Sequence, residues 1–489
     1  MNYAVKLMNA KLLSLFLLFF GAGFVSSHEQ TAEKRSVEMH DNIFDSSIYA
    51  SYYAQLNTFV AQQLMRYPSI AKLLSVEMAE GANQETKKNF LEYILAGPKS
   101  SCIEDKKTFH QGMVGQLRQI VSQRNGIDDS SDLLEKEWKS LIDKLLIWIY
   151  TGPDLRFSNQ LFFYEKAGIV PEEITAEKFC DVITNTYRGL RENQEFGGLV
   201  DGAFDTLEDP HFFGDVSSRL FMLASKQGKR ILFIRTPNTV QDLYFDESLN
   251  NLTSAKVNEE FLSYIQACEA IEHKHLYINL QYNFNSPDNK DSDGVLRSKA
   301  LENADRETPQ GLAVVSLDKN SNFYRQNNEY EFRSNAEEFK NRLYANCVSG
   351  EGYYWTKHID VISWQKKLLD ILEEVHSFYF DNRSELSCEE RRDFIELAYI
   401  KVIDTLIESL QPDSVNITCH VSIDRAPSTY VLYYLSKLLE SHEQITSAKF
   451  NELRVMLLAP SLCCHNRPIV ESRVNRFVST AARLLDSAH

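Results

Sequence analysis

The sequence predicts a mixed α/β fold, a helical N-terminal region followed by an α/β domain, and three observations carry that expectation. Apolar side chains recur at helical spacing through most of residues 45–225. Short unbroken apolar runs, closed by polar or turn-forming residues, begin just after Lys229. From there onward such runs alternate with helical stretches, the order expected of a sheet covered by helices.

At the N-terminus, Lys6 and Lys11 precede an apolar run at 12–20 that continues to Val25 and ends in Ser26 and Ser27. A basic start, a short apolar centre and small residues at the exit form the pattern of a signal peptide over residues 1–27. The run is shorter than the roughly 20 residues that a membrane helix needs, so the protein reads as exported or secreted. Residues 28–225 then read as a helical domain, with strong periodicity at 136–150 and 172–191, and residues 226–489 as the α/β domain. In the latter, 230–234, 276–280 and 312–317 read as buried strands. The stretch 283–294, rich in Asn, Asp and Ser, reads as a loop, and helices resume at 334–345 and 360–382. A further helix at 389–410 presents Ile395, Tyr399, Val402, Leu406 and Leu410 as one stripe and is closed by Gln411, Pro412 and Asp413.

Composition narrows the function. With 43% hydrophobic and 25% charged side chains, the 489 residues are those of a globular protein. The 68 acidic against 52 basic side chains give a formal charge of −16, which argues against a general nucleic-acid binder, because phosphate neutralisation needs a basic surface. The eight cysteines are dispersed and include no C-x-x-C pair, so they do not form a small-domain disulfide framework; the adjacent Cys463 and Cys464 read as buried thiols. Two metal-like patterns fail. Residues 289–294 imitate a calcium loop but place Ala300 where a bidentate Glu is required, and Cys268, His273 and His275 lack an evident fourth ligand. There is no phosphate-binding P-loop, dinucleotide fingerprint or nucleophile elbow, so no metal and no cofactor is expected.

The functional weight falls on residues 414–439. Val415, Asn416, Ile417 and Thr418 read as a strand ending at Cys419, and after Arg425 a helix shows a stripe at Val431, Tyr434, Leu435 and Leu438. This is a Cys-x5-Arg spacing between strand and helix, unique among the eight cysteines. A loop of that length can turn its backbone N–H groups inward around a tetrahedral oxyanion, while the helix N-terminus adds positive potential and Arg425 a bidentate fork. The same donors favour the Cys419 thiolate, the nucleophilic form.

The run Cys419-His420-Val421-Ser422-Ile423-Asp424-Arg425-Ala426 resembles the loop of the cysteine-dependent phosphatases. The nearest branch acts on phosphoinositides and inositol phosphates and includes secreted bacterial effectors; its loops commonly read Cys-Lys-Ser-Gly-Lys-Asp-Arg-Thr. The likeness is local, over residues 415–435. It implies a phosphatase-like α/β domain, a nucleophilic Cys419, a phosphate-binding Arg425 and Asp424 as proton donor to the leaving oxygen, with Asp360 as an alternative acid. His420, Val421, Ser422 and Ile423 would then offer their amides to the substrate. The departures are specific: His420 replaces the lysine and Ser422 the glycine, and Ala426 stands where the family has a hydroxyl, for which Ser428 or Thr429 are the nearby substitutes.

Downstream, Arg467 follows an apolar run at 455–459 as if at a strand's exit, where it can meet an anionic substrate. Arg473 and Arg476, three apart, read as a solvated helix face. The expected activity is hydrolysis of a phosphate monoester, on a phosphorylated small molecule or lipid headgroup, through a phosphocysteine. The alternative is a non-catalytic secreted effector that engages a host protein through its helical region.

Overall fold

A computed structural model describes residues 44–75, 82–99, 103–123, 132–192, 215–246, 251–281, 292–442, 444–465 and 467–487. The expected signal peptide, and most of the loop expected at 283–294 with its calcium-like pattern, lie outside them. Among the described residues, helices come first: α1 (Phe44–Arg66), α2 (Pro68–Leu73), α3 (Ala82–Ala96), α4 (Ile103–Ser122), α5 (Leu133–Thr151), α6 (Arg156–Ala167) and α7 (Ala176–Glu192). The periodicity seen in the sequence is the burial pattern: Trp138, Leu141, Ile142, Leu145, Leu146 and Ile149 of α5 are buried, as are Phe179, Ile183, Tyr187 and Leu190 of α7.

The mixed α/β class is present. Strands β1 (Ser218–Ala224), β2 (Arg230–Arg235), β5 (His275–Asn279), β6 (Leu312–Ser316) and β7 (Ser414–Thr418) form a five-stranded sheet in the order β1-β2-β7-β5-β6. Only β1 runs antiparallel, against β2; the contacts of β7 with β2 and β5, and of β5 with β6, are parallel. Strands β3 (Val240–Asp246) and β4 (Asn251–Val257) pair separately as a hairpin. The remaining helices are α8 (Glu259–Glu269), α9 (Ser292–Glu307), the short α10 (Asn322–Arg325), α11 (Ala336–Ser349), α12 (Val361–Phe380), α13 (Cys388–Leu410), α14 (Arg425–Glu440), α15 (Ser447–His465) and α16 (Glu471–Asp486).

The central strands β5 and β7 and the edge strand β6 are buried at every position, as strands covered on both faces must be. One face of β5 and β7 is polar: His275, Tyr277 and Asn279 stand opposite Ser414, Asn416 and Thr418. That row is hydrogen-bonded, with His275 Nδ1 at 2.8 Å from Ser414 Oγ, His275 Nε2 at 2.8 Å from Asn416 Oδ1, and Asn416 Nδ2 donating to Thr236 Oγ1 at 2.8 Å. Burying these groups is tolerable because each finds a partner. Both His275 nitrogens are thereby engaged within the sheet, and among the described residues no cluster of His, Cys, Asp and Glu is arranged to hold a metal ion.

Residues 44–489 form one contact unit, and residue 226 falls in the turn between β1 and β2. Arg118 of α4 forks onto Glu260 of α8 with two bonds of 2.7 Å, so the helical region and the sheet share a buried ion pair. The strand expected at 455–459 is instead the middle of α15, which runs on through Pro460. Met, Leu and Ala are good helix formers, and a short apolar run carries no periodicity to separate strand from buried helix. Among the described residues no helix is long and apolar enough to cross a membrane.

Candidate active site

Because β2, β5, β6 and β7 are parallel, the segments that follow them leave the sheet at one edge, where open α/β sheets place their ligands. The central strand β7 delivers Cys419 there, and α14 begins six residues later at Arg425. Val421 and Ile423 turn their side chains into the core, with Ile423 fully buried, while His420 is half-buried.

Ser422, where the phosphatase loops that this run resembles carry glycine, adopts φ +53°. The left-handed turn is therefore made without a glycine, at a cost of roughly 1–2 kcal/mol. Its hydroxyl shares a hydrogen bond with that of Thr418 at the end of β7. Arg235, the last residue of β2, holds the loop from behind. Its Nη2 donates to the Val421 carbonyl at 3.3 Å and its Nε to the Ser422 carbonyl at 3.4 Å, while Asp215 clamps the same guanidinium at 2.7 and 2.8 Å. Cys464 Sγ lies 3.1 Å from Arg235 Nη2. Within the loop the Ser422 N–H donates to the Cys419 carbonyl at 3.3 Å, while the amides of Asp424 and Ala426 reach the Cys419 thiol.

Cys419 is 3% exposed. Burial by itself pushes its thiol up; the Arg425 guanidinium and the backbone amides of Ala426 and Asp424 outweigh that, and Asp424's charge opposes them. The net result is a thiol held below its ordinary value, by donors at the start of a helix. By contrast, burial pushes Cys268 up to about 12, and a hydrogen bond with Tyr264 offsets it only in part. Cys419 and Cys268 are both unbridged thiols.

Arg425 is half-buried and donates through Nη1 to the Leu280 carbonyl at the exit of β5, 3.1 Å away. Ser428 and Thr429, the substitutes for the missing loop hydroxyl, both donate to the Arg425 carbonyl, at 2.9 and 2.7 Å. They brace the first turn of α14 instead of facing the sulfur. Lys319 Nζ donates to Thr429 Oγ1 at 2.8 Å and pairs with the buried Glu396 of α13.

The structure brings Asp424 and Arg467 to the site and joins them to each other. Arg467 donates to both Asp424 oxygens, at 2.7 and 3.1 Å, and the Val470 amide donates to Asp424 at 3.0 Å. Arg467 is buried, so its charge is spent on Asp424 rather than offered to a substrate. Asp360 stands apart: it is exposed and caps α12 by accepting the Ser363 amide at 2.8 Å.

A cavity of about 620 Å³ opens beside Arg425 and Asp424 and is lined further by Arg325, Arg392, Arg473 and Arg476. Arg473 and Arg476 are thus half-buried cleft residues and not a solvated face; both surround Tyr324, with Arg476 stacked 4.0 Å from its ring centre. Sequence reasoning missed Arg235, Asp215 and Asp318. Asp318 lies two residues beyond β6, on the same edge of the sheet, and that position after a buried parallel strand was the available clue. Burial holds the Asp318 carboxyl above its ordinary range, against the bonds it accepts from Ser321 and Asn320 and the pull of Arg425.

No family model, no curated protein and no solved structure matches the chain.

Proposed function

We propose that the protein is a cysteine-dependent phosphatase that hydrolyses a phosphate monoester on a small molecule or lipid headgroup of the phosphoinositide or inositol phosphate type. The observation that carries this reading is the placement of the buried Cys419 at the exit of the central parallel strand β7, six residues before Arg425 at the start of α14, where Arg425 and the amides of Asp424 and Ala426 favour its thiolate. A buried thiolate beside an arginine fork is the arrangement needed to attack phosphorus.

In the proposed reaction the Cys419 thiolate forms an S–P bond as the P–O bond to the leaving group breaks. Arg425 and the loop amides hold the equatorial oxygens. We assign proton donation to Asp318, whose carboxyl keeps its proton to higher pH than usual and bonds only the neutral groups of Asn320 and Ser321, whereas both Asp424 oxygens accept from the Arg467 guanidinium. Water then cleaves the S–P bond, releasing phosphate and restoring the thiolate. A working thiolate in an exported protein requires a reducing destination, such as the cytosol of a host cell.

A second reading, a phosphate-binding effector without turnover, draws support from the engaged Asp424 and from Ser428 and Thr429 turning away from the sulfur. Phosphate release from p-nitrophenyl phosphate, a panel of phosphoinositides and a phosphotyrosine peptide tests both. Release that is abolished by Cys419→Ser, with phosphate affinity retained, is the expected result. Equal release by that variant would eliminate the mechanism, and no release by the native chain would favour the effector.

A further inference from the structure

The cleft beside Arg425 carries more positive charge than its own carboxylates neutralise. Among the described residues, Arg325, Arg392, Arg425 and Arg473 each bond only neutral groups. Arg425 meets the Leu280 carbonyl, Arg473 the Tyr324 hydroxyl and Lys319 carbonyl, Arg392 the Arg325 carbonyl and the Asn327 amide oxygen, and Arg325 the Asn320 amide oxygen. The acids that line the same cleft are committed elsewhere or lie at its rim. Asp424 is bound by Arg467, Asp393 accepts from Ser479 and Thr480, and Glu389 is exposed on the first turn of α13.

In a chain of net charge −16, four guanidiniums border one cavity, and the charge of Asp318, which reaches Arg325 and Arg425, offsets them only in part, leaving an unmet demand for anions. The repulsion registers on Arg325: burial first, and then the charges of Arg473 and Arg425, pull its pKa below the ordinary arginine value against the opposing attraction of Asp318. A volume of about 620 Å³ suits a small molecule, and a planar guanidinium matches phosphate with two parallel N–H bonds.

We propose that Arg325, Arg392 and Arg473 form a second anion subsite, which takes a further phosphate of the substrate while Arg425 holds the one under attack. The inference rests on the phosphatase reading for its choice of phosphate, and it goes beyond that reading by requiring at least two phosphates on one ring. It also explains how a loop with His420 and Ile423, where related loops carry lysines, recruits its cations: they come from α10, α13 and α16.

The test uses the full chain carrying Cys419→Ser, titrated calorimetrically with inositol hexakisphosphate and with inositol monophosphate. The polyphosphate should bind more tightly by about tenfold or more, as expected for added charge-assisted bonds. Arg325→Gln combined with Arg392→Gln should remove most of that advantage. Equal affinity for the two probes overturns the subsite, and so does an advantage that survives the double variant intact. If the double variant fails to fold, the comparison of the two probes on the parent chain still decides. Phosphatidylcholine vesicles carrying a phosphatidylinositol bisphosphate, competed with soluble inositol bisphosphate, separate a lipid from a soluble source. Turnover of p-nitrophenyl phosphate without polyphosphate preference would sink the subsite alone, and preference without turnover of any ester would sink the phosphatase reading alone.

Discussion

Arg235 and Val421 meet across the sheet edge: the guanidinium ending β2 donates to the carbonyl in the middle of the Cys419 loop, 3.3 Å away, while Asp215 fixes its other side. The contact ties the shape of the loop to a residue 186 positions earlier in the chain. It also makes the loop's geometry depend on a buried charge that has one carboxylate partner among the described residues.

Arg235→Ala should therefore be severe. It strands Asp215 and two loop carbonyls, at a cost on the order of 3–5 kcal/mol for breaking a buried ion pair from one side. Arg235→Lys keeps the charge but loses the fork, so it should unfold at intermediate urea concentration while releasing phosphate more slowly than the native chain. Urea midpoints and release rates measured together check this; a Lys variant with native activity would show that the fork does not shape the loop.

The reactivity of Cys419 should follow the charges that surround it. Asp424 pushes its thiol up and Arg425 pulls it down. Asp424→Asn should shift the pH profile of iodoacetamide alkylation to lower pH. Arg425→Gln should shift it upward, past the value of an exposed thiol, because burial is then poorly opposed. Profiles that stay put in both variants would contradict this account of the thiolate.

The proposed proton donation by Asp318 can be tested through the leaving group. Asp318→Asn should slow hydrolysis of alkyl phosphates by roughly 100-fold, the usual scale of a lost general acid. The p-nitrophenyl ester, whose leaving oxygen needs no proton, should slow much less. An equal loss on both substrates would assign Asp318 a purely structural part.

Stability between pH 6.5 and 4 should depend on a balance between two buried groups. Burial lowers His275 to about 4, so the folded protein keeps it neutral while the unfolded chain takes up a proton below 6.5, and stability falls as the pH drops through that window. Burial raises Asp393 to about 6, so the folded protein takes up its proton first, and stability rises as the pH drops from there to 3.8. Each contribution is about 3 kcal/mol and they oppose one another. Asp393→Asn removes the gain and leaves the loss, so the variant should be destabilised by about 3 kcal/mol more than the native chain on going from pH 6.5 to 4. Urea unfolding at the two pH values measures the difference; parallel curves would refute it.

What the sequence disclosed was local. The strand at 415–418, the loop and the helix after Arg425 were legible because they are contiguous and the apolar pattern changes period at Cys419. The left-handed turn at Ser422 was foreseeable as a difficulty, since the loops that this run resembles use glycine there, and the chain makes that turn regardless. Arg467 was found by its place in the sequence, but its pairing with Asp424 was not, because 43 residues separate the two. Arg235 and Asp318 escaped for the same reason: each is an ordinary strand-end or loop residue until the parallel order β2-β7-β5-β6 puts their strands' exits on one edge. Strand β1 escaped because Leu220, Phe221, Met222 and Leu223 form an unbroken apolar run within a stretch whose spacing reads as helical. Nothing in such a run distinguishes strand from buried helix.

The turn between β1 and β2 lies at the opposite end of the strands from Cys419, and its Lys226 side chain is 74% exposed. The six residues of β2 span roughly 20 Å. A fluorophore or affinity handle attached at Lys226 would thus sit a full strand's length from the chemistry, which makes that turn the natural place from which to immobilise the protein or watch it capture a ligand undisturbed.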